Sequence, residues 1–282
     1  MQSIRSRPLT TFFVLAFGLT WAVWVPRAVG IPVGVVGQLW TWVPAVAALL
    51  AAALTGGRGA LRDLGERLVR WRVGWRWYLV IVLGLAVFSI AVAVVYVLLG
   101  GSWADAVPPA LNGETPLVIL PLFLAVLFVT DGVGEELAWR GFALPRLLTR
   151  HNALVASLIL GVLWGLWHLP LVWTEGATLY QQPVWLFLLD ITAKSVLFTW
   201  VFLHTRGSVL LAMLLHGATN LFAVSPVVAE GGSVALLLLA AGAKWVLVVV
   251  VIVVAGPSLA RGPRPEALPR TLSREASVHP TA

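Results

Sequence analysis

A polytopic bundle of about eight transmembrane α-helices is the fold class this sequence predicts, and three observations carry the prediction. Hydrophobic residues make up 60% of the chain and charged residues only 11%, against about 25% charged in soluble globular domains. The apolar residues gather in uninterrupted runs of about 18 or more, the length a helix needs to cross ~30 Å of hydrocarbon. The cations occupy alternate loops, which is how a membrane protein encodes its orientation.

The runs fall at residues 10–28, 35–54, 77–100, 116–134, 153–173, 184–204, 208–225 and 233–255. Arg5 and Arg7 precede the first, which is long enough to stay as a span rather than leave as a signal peptide, and Arg27 stands alone after it. Arg58, Arg62, Arg67, Arg70, Arg72 and Arg76 fill the loop between the second and third. Within that loop Leu61, Leu64 and Leu68 recur at helical spacing opposite Arg62, Asp63, Glu66 and Arg70, with Trp71, Trp75 and Trp77 following. The pattern predicts an amphipathic helix lying at the headgroups, a lipid anchor without chemistry.

The next loop holds Asp105 and Glu114 and no cation. Arg146 and Arg150 follow the fourth run, Glu175 the fifth, Arg206 the sixth and Glu230 the seventh. Arg261, Arg264, Arg270 and Arg274 lie in the tail. The unbroken alternation predicts both termini in the cytoplasm. No internal repeat is evident, which weighs against transporter folds built from repeated halves. Residues 1–255 therefore read as one membrane domain. Residues 256–282, with Pro257, Pro263, Pro265, Pro269 and Pro280, read as a disordered tail.

The net charge of +7 invites comparison with nucleic-acid binders. Its confinement to loops and tail suits anionic lipid instead. Cysteine is absent, which excludes a thiol nucleophile, a thiolate metal site and any disulfide. Arginine outnumbers lysine 17 to 2, and alanine and valine are abundant. That usage points to GC-rich coding, and a bacterial inner (plasma) membrane is the expected location.

An ionisable residue inside a span costs about 2.5–3.5 kcal/mol on insertion scales, so each asks for a reason. The fourth span is expected to end in Asp131-Gly-Val-Gly-Glu135-Glu136-Leu-Ala-Trp139-Arg140. Glu136 and Arg140 are four apart with the acid first, so they pair. Glu135 is rotated by about 100° and is left to point elsewhere, which suits a general base. His168 closes Trp164-Gly-Leu-Trp-His168 on the fifth span, and His216 and Asn220 share one face of the seventh. An imidazole and an amide side by side suit a developing oxyanion. Asp190 and Lys194 read as a mutually neutralising pair. Lys244 receives no role, and Gly161 and Gly165 read as close helix packing.

Glu135-Glu136-x-x-x-Arg140, an aromatic four residues before His168, and His216-x-x-x-Asn220, on three separate spans in this order, resemble the CPBP family. That family comprises type II CAAX prenyl proteases and the bacteriocin-processing or abortive-infection proteins. The resemblance covers about residues 115–225. Trp164 stands where the family usually has phenylalanine. What the resemblance implies is peptide hydrolysis in the bilayer, on a CAAX-type or leader peptide, lipidated or not. Glu135 and His168 would activate water, His216 and Asn220 would stabilise the oxyanion, and Glu136, Arg140 and Trp164 would support the site. No cofactor is expected.

Two other readings stay open. Zinc could be held by Glu135, His168 and His216, since two histidines and a carboxylate form a catalytic ligand set; no HExxH is present. A non-enzymatic scaffold or immunity protein could keep the same residues without using them. The partners expected in every case are membrane lipid and a peptide or protein, with no nucleic acid.

Overall fold

Short polar residues start several of the helices. The side chains of Asn152, Ser208 and Ser233 accept hydrogen bonds from the backbone N–H groups of Val155, Leu211 and Leu236 at 2.9, 3.2 and 3.3 Å. Each satisfies one of the donors a helix leaves unpaired at its first turn. A computed structural model of the chain describes residues 7–34, 40–111, 113, 115–223 and 232–260. Its long helices are α1 (Pro8–Ala28), α2 (Val43–Leu68), α3 (Trp75–Leu98), α4 (Leu117–Leu147), α5 (Ala153–Trp167), α6 (Val184–His204), α7 (Val209–Leu221) and α8 (Val234–Ala255). A 3-10 turn, Leu169–Trp173, continues α5. No strand occurs among the described residues.

Seven of these helices are long and apolar enough to cross a membrane. The exception is α7, expected as a span over 208–225. At 13 residues it is about 20 Å long, short of the ~30 Å hydrocarbon core. Residues 224–231, with Glu230, lie outside the described residues, as do Arg5, Glu114 and the four tail arginines.

Helix α4 departs furthest from expectation. The apolar run ends near residue 134, where the charges begin, yet the helix continues to Leu147. Glu135, Glu136 and Arg140 are all buried, so the charges lie inside the bundle rather than at a membrane boundary. Helix α2 also differs, because membrane segment and amphipathic segment form one helix kinked at Gly57 (φ 59°, ψ −148°). Only glycine adopts that conformation at little cost. The amphipathic part does more than rest on lipid: Leu64 and Arg67 are buried, and Arg67 sits over the Phe202 ring of α6 at 5.9 Å. The first residues of the expected tail are likewise ordered. The Leu154 N–H donates to Pro257 O at 3.0 Å, and Leu259 is fully buried.

Packing places α5 against α6, α1 against α2, α6 against α8, and α4 between α2 and α7. Gly161 and Gly165 face Thr192, Ser195, Leu188 and Ile191 of α6, which is the close packing their spacing predicts. Leu83 and Val87 of α3 and Val246 and Val253 of α8 are exposed, the surface a lipid solvent requires.

Candidate active site

Two glycines bring the site helices together. A Cβ on Gly134 of α4 would lie 2.0 Å from Thr41 O, in the turn before α2. A Cβ on Gly217 of α7 would lie 3.0 Å from Phe128 N of α4. A side chain on Gly134 would collide with the Thr41 backbone, and one on Gly217 would force its neighbour to shift. Around this contact α4 widens into π-helical turns at Phe128–Val133 and Leu137–Ala143, which bracket Gly134–Glu136. Such turns gather at functional sites.

Glu136 and Arg140 pair at 2.9 Å with neither side chain exposed, as their spacing predicts. The carboxylate has a second partner: His216 Nδ1 of α7 lies 2.9 Å from the same Oε1. Arg140 is held besides between two aromatic faces, Trp164 at 4.5 Å and Phe198 at 4.6 Å. Glu136 therefore ties α4 to α7, and Arg140 ties α4 to α5 and α6.

Glu135 points away from that cluster. Its Oε2 accepts from Trp164 Nε1 at 2.6 Å and from Trp139 Nε1 at 3.2 Å. Its Oε1 faces His168 Nε2 at 3.9 Å, too far for a direct hydrogen bond and close enough for one small group to touch both. His168 is oriented from behind, where Nδ1 meets Trp164 O at 2.9 Å. Trp167 crosses the imidazole edge-on at 4.6 Å between centroids, and Trp24 of α1 lies at 6.1 Å. With Nδ1 directed to a carbonyl, Nε2 is the nitrogen presented to Glu135.

Six of the seven expected residues thus meet: Glu135, Glu136, Arg140, Trp164, His168 and His216. Asn220 lies at the edge and is exposed. It shares the His216 face but gives its amide to Asp131 Oδ2 at 2.9 Å. Sequence reasoning assigned Asp131 no part. Its position one turn before Glu135, on the same helix face, was the available signal. The indole donors Trp139 and Trp164 were also missed as hydrogen-bond partners, although a tryptophan in place of a family phenylalanine adds an N–H donor.

A zinc ion would need Glu135, His168 and His216 to converge on one point. Among the described residues no three His, Cys, Asp or Glu side chains converge as a ligand group. His216 gives Nδ1 to Glu136 and keeps Nε2. As placed, Glu135, His168 and His216 do not form the close set that zinc requires, and no step below is routed through an ion.

Asp190 and Lys194 pair at 3.1 Å as expected, and Lys244 of α8 joins them at 2.5 Å.

Residues 117–222 match the family model described as type II CAAX prenyl endopeptidase Rce1-like. That stretch runs from the start of α4 to the end of α7 and holds every residue of the cluster except the α1 aromatic. A CAAX prenyl protease 2 from Methanococcus maripaludis is similar, with 37% identity over 106 residues. The alignment covers 36% of this chain and 38% of that protein, so the likeness spans well under half the length of either.

Proposed function

This multi-pass membrane chain carries a type II CAAX prenyl endopeptidase Rce1-like segment, and on that premise we propose that it is an intramembrane endopeptidase cutting a CAAX-type or leader peptide. One observation carries the reading. Of two adjacent buried acids, Glu136 is committed to Arg140 and His216, while Glu135 keeps one oxygen facing His168 Nε2 at 3.9 Å.

In the proposed mechanism a water sits between Glu135 Oε1 and His168 Nε2, within ~2.6–3.2 Å of each. Glu135 takes its proton as oxygen attacks the scissile carbonyl, and later delivers that proton to the leaving amine. The indole N–H groups of Trp164 and Trp139 fix the other carboxylate oxygen, so the base holds one orientation. His216 donates Nδ1–H to Glu136 and, in its doubly protonated form beside that carboxylate, presents Nε2–H to the developing oxyanion. Asn220, anchored by Asp131, keeps a second amide proton for the same task. Arg140 and Glu136 hold the charges of this layer in place.

The test is cleavage of a fluorogenic peptide by the full-length chain purified in detergent. Turnover supports a peptidase, whereas binding of peptide without turnover across substrates supports a scaffold. We further propose a bacterial inner-membrane location with both termini cytoplasmic, on the alternating loop charge, which requires the short α7 to serve as an eighth crossing. Reporter fusions after Arg150 and after Arg274 should both report cytoplasm; a periplasmic signal at either contradicts it.

A further inference from the structure

Lys244 and Lys194 carry more positive charge than their surroundings balance. Both ammonium groups contact one carboxylate, Asp190, at 2.5 and 3.1 Å. The cluster therefore holds a net charge of +1. All three side chains line a cavity of about 80 Å³ between α3, α6, α7 and α8, and no second carboxylate lines it among the described residues. An unbalanced ammonium at membrane depth is costly, and such residues mark binding sites or ion paths more often than scaffolding. Each ammonium has three donors and spends one on Asp190. With the Lys194 and Lys244 side chains 25% and 16% exposed, donors remain free to reach into the cavity.

The cavity adjoins the proposed active site. Phe187 lines it and also packs edge-on against the His168 ring, with centroids 5.7 Å apart. Thr219, the neighbour of Asn220, lines it from α7, and Gln182 adds an amide. A volume of about 80 Å³ equals roughly two to three water molecules at ~30 Å³ each. That is room for a carboxylate with a water.

We infer that Lys194, Asp190 and Lys244 form an anion subsite for the C-terminal carboxylate of the peptide substrate. The inference rests on the endopeptidase reading for the identity of the ligand. A CAAX-type substrate carries its terminal carboxylate within the motif itself, so a few residues of extended chain, at ~3.3–3.6 Å each, link the cut to this subsite. Asp190 holds the two ammoniums together and sets their spacing, and the net positive charge selects an anion.

The test uses the full-length chain in detergent and needs no variant for its first arm. Binding of an apolar tripeptide with a free carboxylate is compared with the same tripeptide amidated, and with phosphatidylglycerol, by thermal shift and by calorimetry. The acid should bind at least about tenfold more tightly than the amide, as expected for losing one partner of a charge pair. Lys244→Met, or Lys194→Met should the first misfold, should erase that difference. Equal binding of acid and amide overturns the proposal. A Lys244-dependent response to the lipid alone overturns it in favour of a lipid phosphate. Acid-selective binding by a protein that cleaves nothing leaves the subsite standing and removes the peptidase reading. Cleavage of acid and amide peptides with the same KM does the reverse.

Discussion

Replacing Glu136 by glutamine removes one charge and almost no volume, so it isolates the electrostatics of the site. The wild-type carboxylate accepts from Arg140 and from His216, each at 2.9 Å, and neither Glu136 nor Arg140 is exposed. A hydrogen bond to a charged group contributes about 1.5–3 kcal/mol. Breaking a buried ion pair from one side costs about 3–5 kcal/mol, because the remaining charge is stranded. Glutamine keeps one acceptor oxygen, and Arg140 keeps its stacking on Trp164 and Phe198. These residual contacts place the loss within that 3–5 kcal/mol range rather than above it. The assay is the folded fraction of detergent-purified protein across a thermal ramp, compared with Arg140→Met and with the double variant. Since the double variant strands no charge, it should be more stable than either single one. A Glu136→Gln protein within about 0.5 kcal/mol of wild type, the range of an ordinary surface change, would refute the reasoning.

The remaining predictions concern packing, the oxyanion and metal. Gly134→Ala should give little or no folded protein, because its Cβ would sit 2.0 Å from Thr41 O; normal yield and size-exclusion behaviour would contradict the contact. His216→Ala and Asn220→Ala should each lower turnover by about 10²–10³ if each supplies an oxyanion donor. Asn220→Ala, being at the exposed edge, should do so without loss of stability, and unchanged kcat would remove it from the site. Protein purified without added metal should contain substoichiometric zinc and stay active after exhaustive chelation. One zinc per chain, with activity lost on removal and restored by zinc, would make Glu135 a ligand rather than a base.

The helices were legible because lipid-facing residues must be apolar, so α1, α3, α6 and α8 could be read almost to their ends. The end of α4 was not. A hydropathy window treats Glu135, Glu136 and Arg140 as a boundary, whereas paired charges inside a bundle let a helix run through them. The Glu136–Arg140 pair and the divergence of Glu135 followed from helical rotation alone. Which atoms Glu135 meets did not, since its partners Trp164 and His168 come from another helix whose register only packing sets. Lys244 shows a different limit. Asp190 and Lys194 balance each other on one helix, and nothing local indicates that a third charge will arrive from α8. Charge parity was the available hint: a lone lysine deep in a span needs an acid at its own depth, and Asp190 was the candidate.

The central claim is that Glu135 is the base that activates water. Glu135→Ala, with Glu135→Gln beside it as the closest isostere, should be measured in the peptide-cleavage assay at enzyme concentrations matched by folded fraction. Glu135→Gln keeps an acceptor for the Trp164 and Trp139 indoles and should melt near wild type. Glu135→Ala leaves both buried N–H groups unpaired and should lose about 1–3 kcal/mol for each, which is why folded fractions are matched. The account predicts no detectable turnover from either one. Turnover near the wild-type rate from well-folded Glu135→Ala protein would contradict it.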